Sequence, residues 1–190
     1  MNDYQIKKTL ESFTILCDTR EKNTPALQHR IQQFGCSVER KKLDFGDYSA
    51  KCVLPDGKEL SLERNVTIER KEHFDELAMC YTSQRERFTK EFERAKQVNA
   101  KIYLLVEKAS WEKAYAGIYR SQMSSQSLIA SMTTWLARYN CSLLFCQPET
   151  SGKLIRDVLI KEMRQYLIRY DTGAVKVSKE PNTTSTVHKK

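Results

Sequence analysis

Short apolar runs alternate with longer amphipathic segments along most of this 190-residue chain. Phe13–Cys17, Val66–Arg70 and Lys101–Val106 have the length and the apolar content of buried strands. Two longer segments have the features of helices instead, Pro25–Phe34 and Ser124–Tyr139. The first of them starts with proline and is followed by Gly35, as helices commonly do. Because strands that alternate with helices bury both faces of a sheet, this order predicts an α/β fold with a mixed sheet flanked by helices.

The same patterns divide the chain into one domain and two flanking segments. We expect a domain at 13–170, an N-terminal extension at 1–12, and a disordered basic tail at 171–190, where apolar residues become scarce. The other elements predicted within the domain are strands at Val38–Leu43, Tyr48–Leu54, Glu59–Leu62 and Ser142–Cys146, and helices near Phe74–Cys80, Ser83–Val98 and Thr150–Arg169.

Composition narrows the class of partner and the cellular compartment. The formal net charge is +8 and the pI about 9.2, which suits a partner that carries phosphate, although a basic protein need not bind nucleic acid. The six cysteines include no Cys-x-x-Cys pair, so a disulfide framework or a zinc site is not expected. Without a signal-peptide pattern or a membrane-length apolar run, we expect a cytoplasmic, reducing location and no membrane partner.

An acidic residue and a lysine stand two positions apart at the end of a predicted strand. Side chains two apart point to the same face of a strand, so Glu69 and Lys71 project together and Arg70 projects the opposite way. Asp47, in the Gly46-Asp47-Tyr48 segment before the preceding strand, can complete the cluster. Two carboxylates suit Mg²⁺ or Mn²⁺, which keep water and phosphate in the rest of their coordination shell. The alternative is a solvated strand end with ordinary salt bridges.

Three short motifs resemble those of one nuclease family. Glu69–Asp75 resembles the ERK-x-x-x-D signature of the XPF/Hef structure-specific endonucleases, Gly46–Tyr48 resembles their GDY element, and Asp18–Glu21 resembles their D-x-R-E element. The similarity covers roughly residues 13 to 170. It implies a restriction-endonuclease-like three-layer sandwich and an active site that uses Mg²⁺ or Mn²⁺.

The resemblance also assigns roles to individual residues. Asp47 and Glu69 would hold the metal, Asp18 would join them directly or through water, and Lys71 would be the catalytic lysine. The other family residues around this site, which we expect to support catalysis, are Arg20, Glu21, Arg70 and Asp75.

DNA-contacting residues are expected on the helix that follows the signature and on nearby loops. Arg87 best matches the arginine that leads this helix in the family, while Glu91 stands where family members tend to carry glutamine. The candidates for DNA binding are Arg20, Arg85, Arg87 and Arg120. For each of the last three, ion pairing or solvation at the surface is the alternative interpretation.

The resemblance implies a metal-dependent DNA endonuclease that acts on flapped, forked or branched duplexes. We expect a nuclease domain without helicase or helix-hairpin-helix modules, because neither motif occurs in the sequence. A non-catalytic DNA-binding or scaffold subunit is the alternative from another class, but the chain keeps all the acids and the lysine. A junction-resolving or restriction-type nuclease would share the metal site. Broad apolar surfaces on helices 124–139 and 150–169 suggest a homodimer.

Overall fold

Seven strands form one mixed sheet in a computed structural model of the protein, which describes residues 1–171. The strand order is β2-β1-β3-β5-β6-β7, and the short β4 pairs with β3 off this path. The strands are β1 (Thr14–Cys17), β2 (Ser37–Arg40), β3 (Tyr48–Val53), β4 (Glu59–Ser61), β5 (Val66–Lys71), β6 (Lys101–Glu107) and β7 (Cys141–Cys146).

Helices cover both faces of the sheet and enclose two apolar cores. The helices are α1 (Asp3–Leu10), α2 (Pro25–Phe34), α3 (Phe74–Tyr81), α4 (Arg85–Gln97), α5 (Trp111–Ala116), α6 (Ser125–Arg138) and α7 (Pro148–Asp171). One core unites α1, α2 and α7 with one face of the sheet, and the other unites α3, α4, α5 and α6 with the opposite face. The predicted α/β architecture, a mixed sheet between two helical layers, is therefore confirmed.

Strand directions bring the predicted site residues to one end of the sheet. β1 and β2 are parallel, β5, β6 and β7 are parallel, and β3 runs antiparallel to both β1 and β5. Cys17 and Ile68 are accordingly both paired with Tyr48, the first residue of β3. The end of β1, the start of β3 and the end of β5 are thus neighbours, although they are far apart in sequence.

Close helix packing supports this end of the sheet from one side. Gly152 of α7 lies so near α2 that a Cβ atom there would be 2.5 Å from the Arg30 carbonyl oxygen. Its backbone N–H donates to Gln33 Oε1 at 2.9 Å. The contact lets α7 lie directly on α2 and holds Arg30 against the sheet.

Several details differ from the sequence-based expectations. Helices α1 and α5 were not predicted, since α1 lies in the expected N-terminal extension and α5 is too short to show clear helical periodicity. The predicted strand 38–43 ends at Arg40. The expected basic tail begins at the last residue of α7, and its other residues lie outside the described part of the chain. Within residues 1–171, no helix combines the length and apolarity that a membrane span requires.

The apolar face of α7 is used within the domain itself. Ile155, Leu159, Met163 and Leu167 are fully buried in the core formed with α1, α2 and the sheet. Their apolar surface therefore does not indicate a subunit interface. On α6, Leu128, Met132 and Trp135 are likewise buried, whereas Leu136 is only half-buried and does not belong to the core of that face.

Candidate active site

Glu69 and Lys71 lie side by side on β5, as the alternation of strand side chains predicts. Lys71 Nζ donates to Glu69 Oε1 at 2.5 Å, and both side chains are buried. The ammonium group also lies 5.4 Å from the ring centroid of Phe88 on α4, so the lysine is enclosed by apolar surface as well as by its carboxylate. Arg70, between them, is directed to the other face, where it contacts Glu107.

Asp47 is brought to this pair by a tight turn at Gly46. Gly46 has φ +73°, and a Cβ atom there would lie 2.7 Å from the Thr67 side chain, so only glycine fits without strain. The Asp47 backbone N–H donates to the Ile68 carbonyl, and the Asp47 carbonyl accepts from the Asp18 N–H, each at 2.8 Å. These bonds fix the turn between β1 and β5.

The carboxylate of Asp47 is held beside a second negative charge. Its Oδ2 atom accepts a hydrogen bond from the backbone N–H of Arg70 at 2.7 Å. Burial, together with the negative charge of Glu69, raises the pKa of Asp47 well above its ordinary value, and Lys71 and the Arg70 N–H offset only part of this effect. Such a carboxylate is more stable in its ionised form when a cation is nearby.

Lys71 is strongly held in its charged form. Burial alone would lower its pKa, but the carboxylates of Glu69 and Asp47 outweigh burial and raise the pKa of Lys71 above its ordinary value. The lysine is therefore a cation, and hence a hydrogen-bond donor, at neutral pH.

The donor set fits a hard divalent ion. Glu69 is 3 % exposed, and its Oε2 atom is buried without any hydrogen-bond partner. A buried, ionised oxygen without a partner is costly unless a cation or water satisfies it. Within residues 1–171, no three His, Cys, Asp or Glu side chains converge as a metal-binding group. Asp47 and Glu69 would thus leave most of the coordination shell to water and phosphate, as Mg²⁺ and Mn²⁺ prefer.

Asp18 is engaged by Arg20 and by the backbone of the segment between β2 and β3. The side chain accepts from the Arg20 N–H at 2.6 Å, from Arg20 Nε at 2.8 Å, from Arg20 Nη2 at 3.0 Å and from the Leu43 N–H at 2.7 Å. Burial would raise the pKa of Asp18, but these hydrogen bonds outweigh it and lower the pKa. Direct metal ligation by Asp18, one of the two modes that the resemblance implies, would need one of these bonds to break.

A buried charge network lies on the face of β5 opposite Glu69 and Lys71. Glu107, at the end of β6, is 2 % exposed and accepts from Arg70 Nη1 at 3.0 Å and from Arg30 Nη2 at 3.3 Å. Arg30 Nη1 donates to the Tyr48 hydroxyl at 3.1 Å, and this hydroxyl donates to Glu21 Oε2, also at 3.1 Å. Glu21 and Arg70 therefore belong to the same network, which holds the ends of β3, β5 and β6 together.

Asp75 is joined to a different part of the chain. Its Oδ1 atom accepts from the backbone N–H groups of Arg120 and Ser121, each at 2.6 Å. The side chain of Arg120 is exposed. Asp75 thus anchors the loop after α5 close to the start of α3.

The predicted DNA-binding arginines divide into two groups. Arg20 and Arg87 line one open pocket of about 370 Å³, together with Glu86, Lys90, Glu91 and Arg94. Arg85 is exposed on the same helix but does not line this pocket, and Arg120 lies on the anchored loop. The pocket is positively charged overall because four of its six side chains are basic.

Sequence reasoning missed three charged residues at this end of the sheet. Arg30 and Glu107 belong to the buried network, and Glu91, noted in the sequence only because family members tend to carry glutamine there, is buried and accepts from the Gly46 N–H at 2.9 Å. Burial and the charge of Glu69 raise the pKa of Glu91. An acidic residue closing the apolar strand Lys101–Val106 was the available signal for Glu107, whereas Arg30 and Glu91 resemble ordinary surface residues of charged helices.

Comparisons with known proteins agree with this fold. The chain has the fold of XPF from Aeropyrum pernix, with a TM-score of 0.54 and 18 % identity over 91 % of this chain and 70 % of that one. No curated protein sequence matches the chain. The model of the ERCC4 domain matches residues 17–157, a span that includes Asp18, Asp47, Glu69 and Lys71. Because this match covers well over half of the sequence, the chain belongs to the ERCC4 domain family of nucleases.

Proposed function

We propose that the protein is a metal-dependent DNA endonuclease that hydrolyses phosphodiester bonds at the Asp47, Glu69 and Lys71 cluster. One observation carries the proposal. A buried carboxylate oxygen without a hydrogen-bond partner, Glu69 Oε2, belongs to the same side chain that accepts from Lys71 and raises the pKa of Asp47. A purely structural salt bridge has no need of a carboxylate oxygen without a partner, nor of a second acid beside it.

The metal ion and Lys71 would have separate roles in hydrolysis. A Mg²⁺ or Mn²⁺ ion held by Asp47 and Glu69 would supply Lewis acidity and offset the charge of a phosphate. Because its pKa is raised, Lys71 acts as a cation that donates to the phosphate or to the attacking water, stabilising negative charge that develops during the reaction. Because Lys71 is already protonated, it is poorly suited to take up a proton from the attacking water.

The surrounding residues bind and orient the substrate. Arg20, Arg87, Lys90 and Arg94 form a basic surface where phosphates of the DNA backbone would lie. The network through Glu107 holds Arg70, whose backbone N–H orients the Asp47 carboxylate. These contacts recognise the DNA backbone rather than its sequence, which supports selection of flapped, forked or branched duplexes by their shape.

Cleavage assays test the function directly. Purified protein is incubated with flap, fork, four-way and linear duplexes, with and without Mg²⁺ or Mn²⁺. We expect metal-dependent cleavage that favours branched substrates and is abolished in Asp47→Asn and Glu69→Gln. Full activity in both variants would refute the assignment. DNA binding without cleavage under all metal conditions would favour a scaffold subunit, and preferential cutting of the four-way substrate would favour a junction-resolving enzyme.

We also propose that two copies assemble on the DNA, using α6 and the edge strand β7. Every residue of β7 is half-buried, and β7 pairs with β6 alone in the sheet that residues 1–171 form. Half-buried Leu136 adds apolar surface on α6. Sedimentation of the wild type and of Leu136→Glu tests this arrangement. A wild-type monomer with full activity would refute it.

A further inference from the structure

Glu91 stands on the buried side of α4, among the apolar residues of that helix. It is 7 % exposed, while Phe88, Phe92 and Ala95 of the same helix pack into the core beneath the sheet. A carboxylate in such a position requires specific partners. The side chain has them, because its Oε1 atom accepts from the Gly46 N–H at 2.9 Å and lies 3.8 Å from Arg20 Nη2.

Gly46 is the position at which this contact matters. The residue directly precedes Asp47, and its φ of +73° sets the direction in which the chain enters β3. The N–H of Asp47 is already bound to Ile68 of β5, and its C=O accepts from Asp18, the residue after β1. Glu91 binds the amide just before them, so that α4 adds a contact to the turn that neither strand supplies.

We propose that Glu91 is a positioning residue for cation binding, because its carboxylate oxygen holds the turn that presents Asp47. The inference rests on the proposed metal-dependent function. Glu91 is not itself a ligand in this arrangement, because its Oε1 atom is engaged by the Gly46 N–H and faces Arg20. Glu91 contributes a hydrogen-bond acceptor for the Gly46 N–H, and its negative charge matters less for cation binding.

Three substitutions separate the acceptor from the charge. Glu91→Gln keeps an oxygen at the same reach but removes the charge. Glu91→Asp keeps the charge but withdraws the oxygen by about 1.5 Å, beyond hydrogen-bond distance from the Gly46 N–H. Glu91→Ala removes both. Mn²⁺ binding to the metal-free, full-length protein is measured by isothermal titration calorimetry, and the melting temperature of each variant by circular dichroism.

We expect Glu91→Gln to bind Mn²⁺ within about threefold of the wild type, and Glu91→Asp and Glu91→Ala to bind it on the order of tenfold more weakly, as loss of one buried hydrogen bond implies. The reverse order, with the aspartate variant near wild type and the glutamine variant weak, would overturn the proposal in favour of charge. Unchanged affinity in all three variants, with only lower melting temperatures, would also overturn it. A wild type that binds no Mn²⁺ would refute the proposed function itself.

Discussion

Replacing Glu107 tests whether the buried network supports both the fold and the active site. Its two carboxylate oxygens accept from Arg30 and Arg70 at 3.3 and 3.0 Å, and all three side chains are largely buried. In Glu107→Gln the shape of the side chain is kept, but two guanidinium groups lose the negative charge between them. The amide NH₂ group of the new glutamine would also face one of these donors.

The expected loss of stability is large for a single isosteric change. Removing one partner of a buried ion pair costs about 3–5 kcal/mol, mainly because the remaining charge is left uncompensated. Arg30 keeps its bonds to Ser151 and Tyr48, so we expect the free energy of unfolding to fall by about 3 kcal/mol, at the lower end of that range. Cleavage should fall as well, because the backbone of Arg70 orients Asp47.

Urea unfolding followed by circular dichroism measures this change. Glu86→Gln is the matched control, since Glu86 pairs with Lys90 at the surface and its loss should leave the unfolding midpoint unchanged. Adding Arg30→Met to Glu107→Gln should cost less than the sum of the two single changes, because the two residues share one interaction. A loss below about 1 kcal/mol for Glu107→Gln would refute the view that this network holds the strand ends together.

Three further predictions concern the site itself. Since burial and Glu69 raise the pKa of Asp47 in the folded state, the native protein binds more protons than the unfolded chain, and stability falls as the pH rises above the ordinary carboxyl pKa. Asp47→Asn should therefore raise the melting temperature of the metal-free protein at neutral pH, with no gain below about pH 4, whereas a gain independent of pH would exclude this cause. Lys71→Ala should lower single-turnover cleavage by about a hundredfold or more with little change in DNA affinity, and an equal loss of affinity would point to substrate binding instead. Arg87→Ala should weaken DNA binding and reduce its salt dependence by about one phosphate contact in titrations across salt concentrations, and unaltered binding would exclude Arg87 from the interface.

Local patterns in the sequence were enough to predict the α/β class and the pairing of Glu69 with Lys71. Both follow from short-range rules, since strand and helix periodicity and the alternation of side chains on a strand depend only on neighbouring residues. The glycine before Asp47 is equally local in origin, because a backbone with positive φ favours glycine.

Only the tertiary structure decided which distant residues surround that pair. Glu107 contacts Arg30 because β6 lies beside β5 and because α7 packs on α2. Neither of these two packing contacts depends on a short stretch of sequence. The same applies to Glu91, which lies 45 positions from Gly46 yet accepts its N–H. On α7, the apolar stripe that suggested a dimer proved to be core, because periodicity reports that a face is buried but not what buries it.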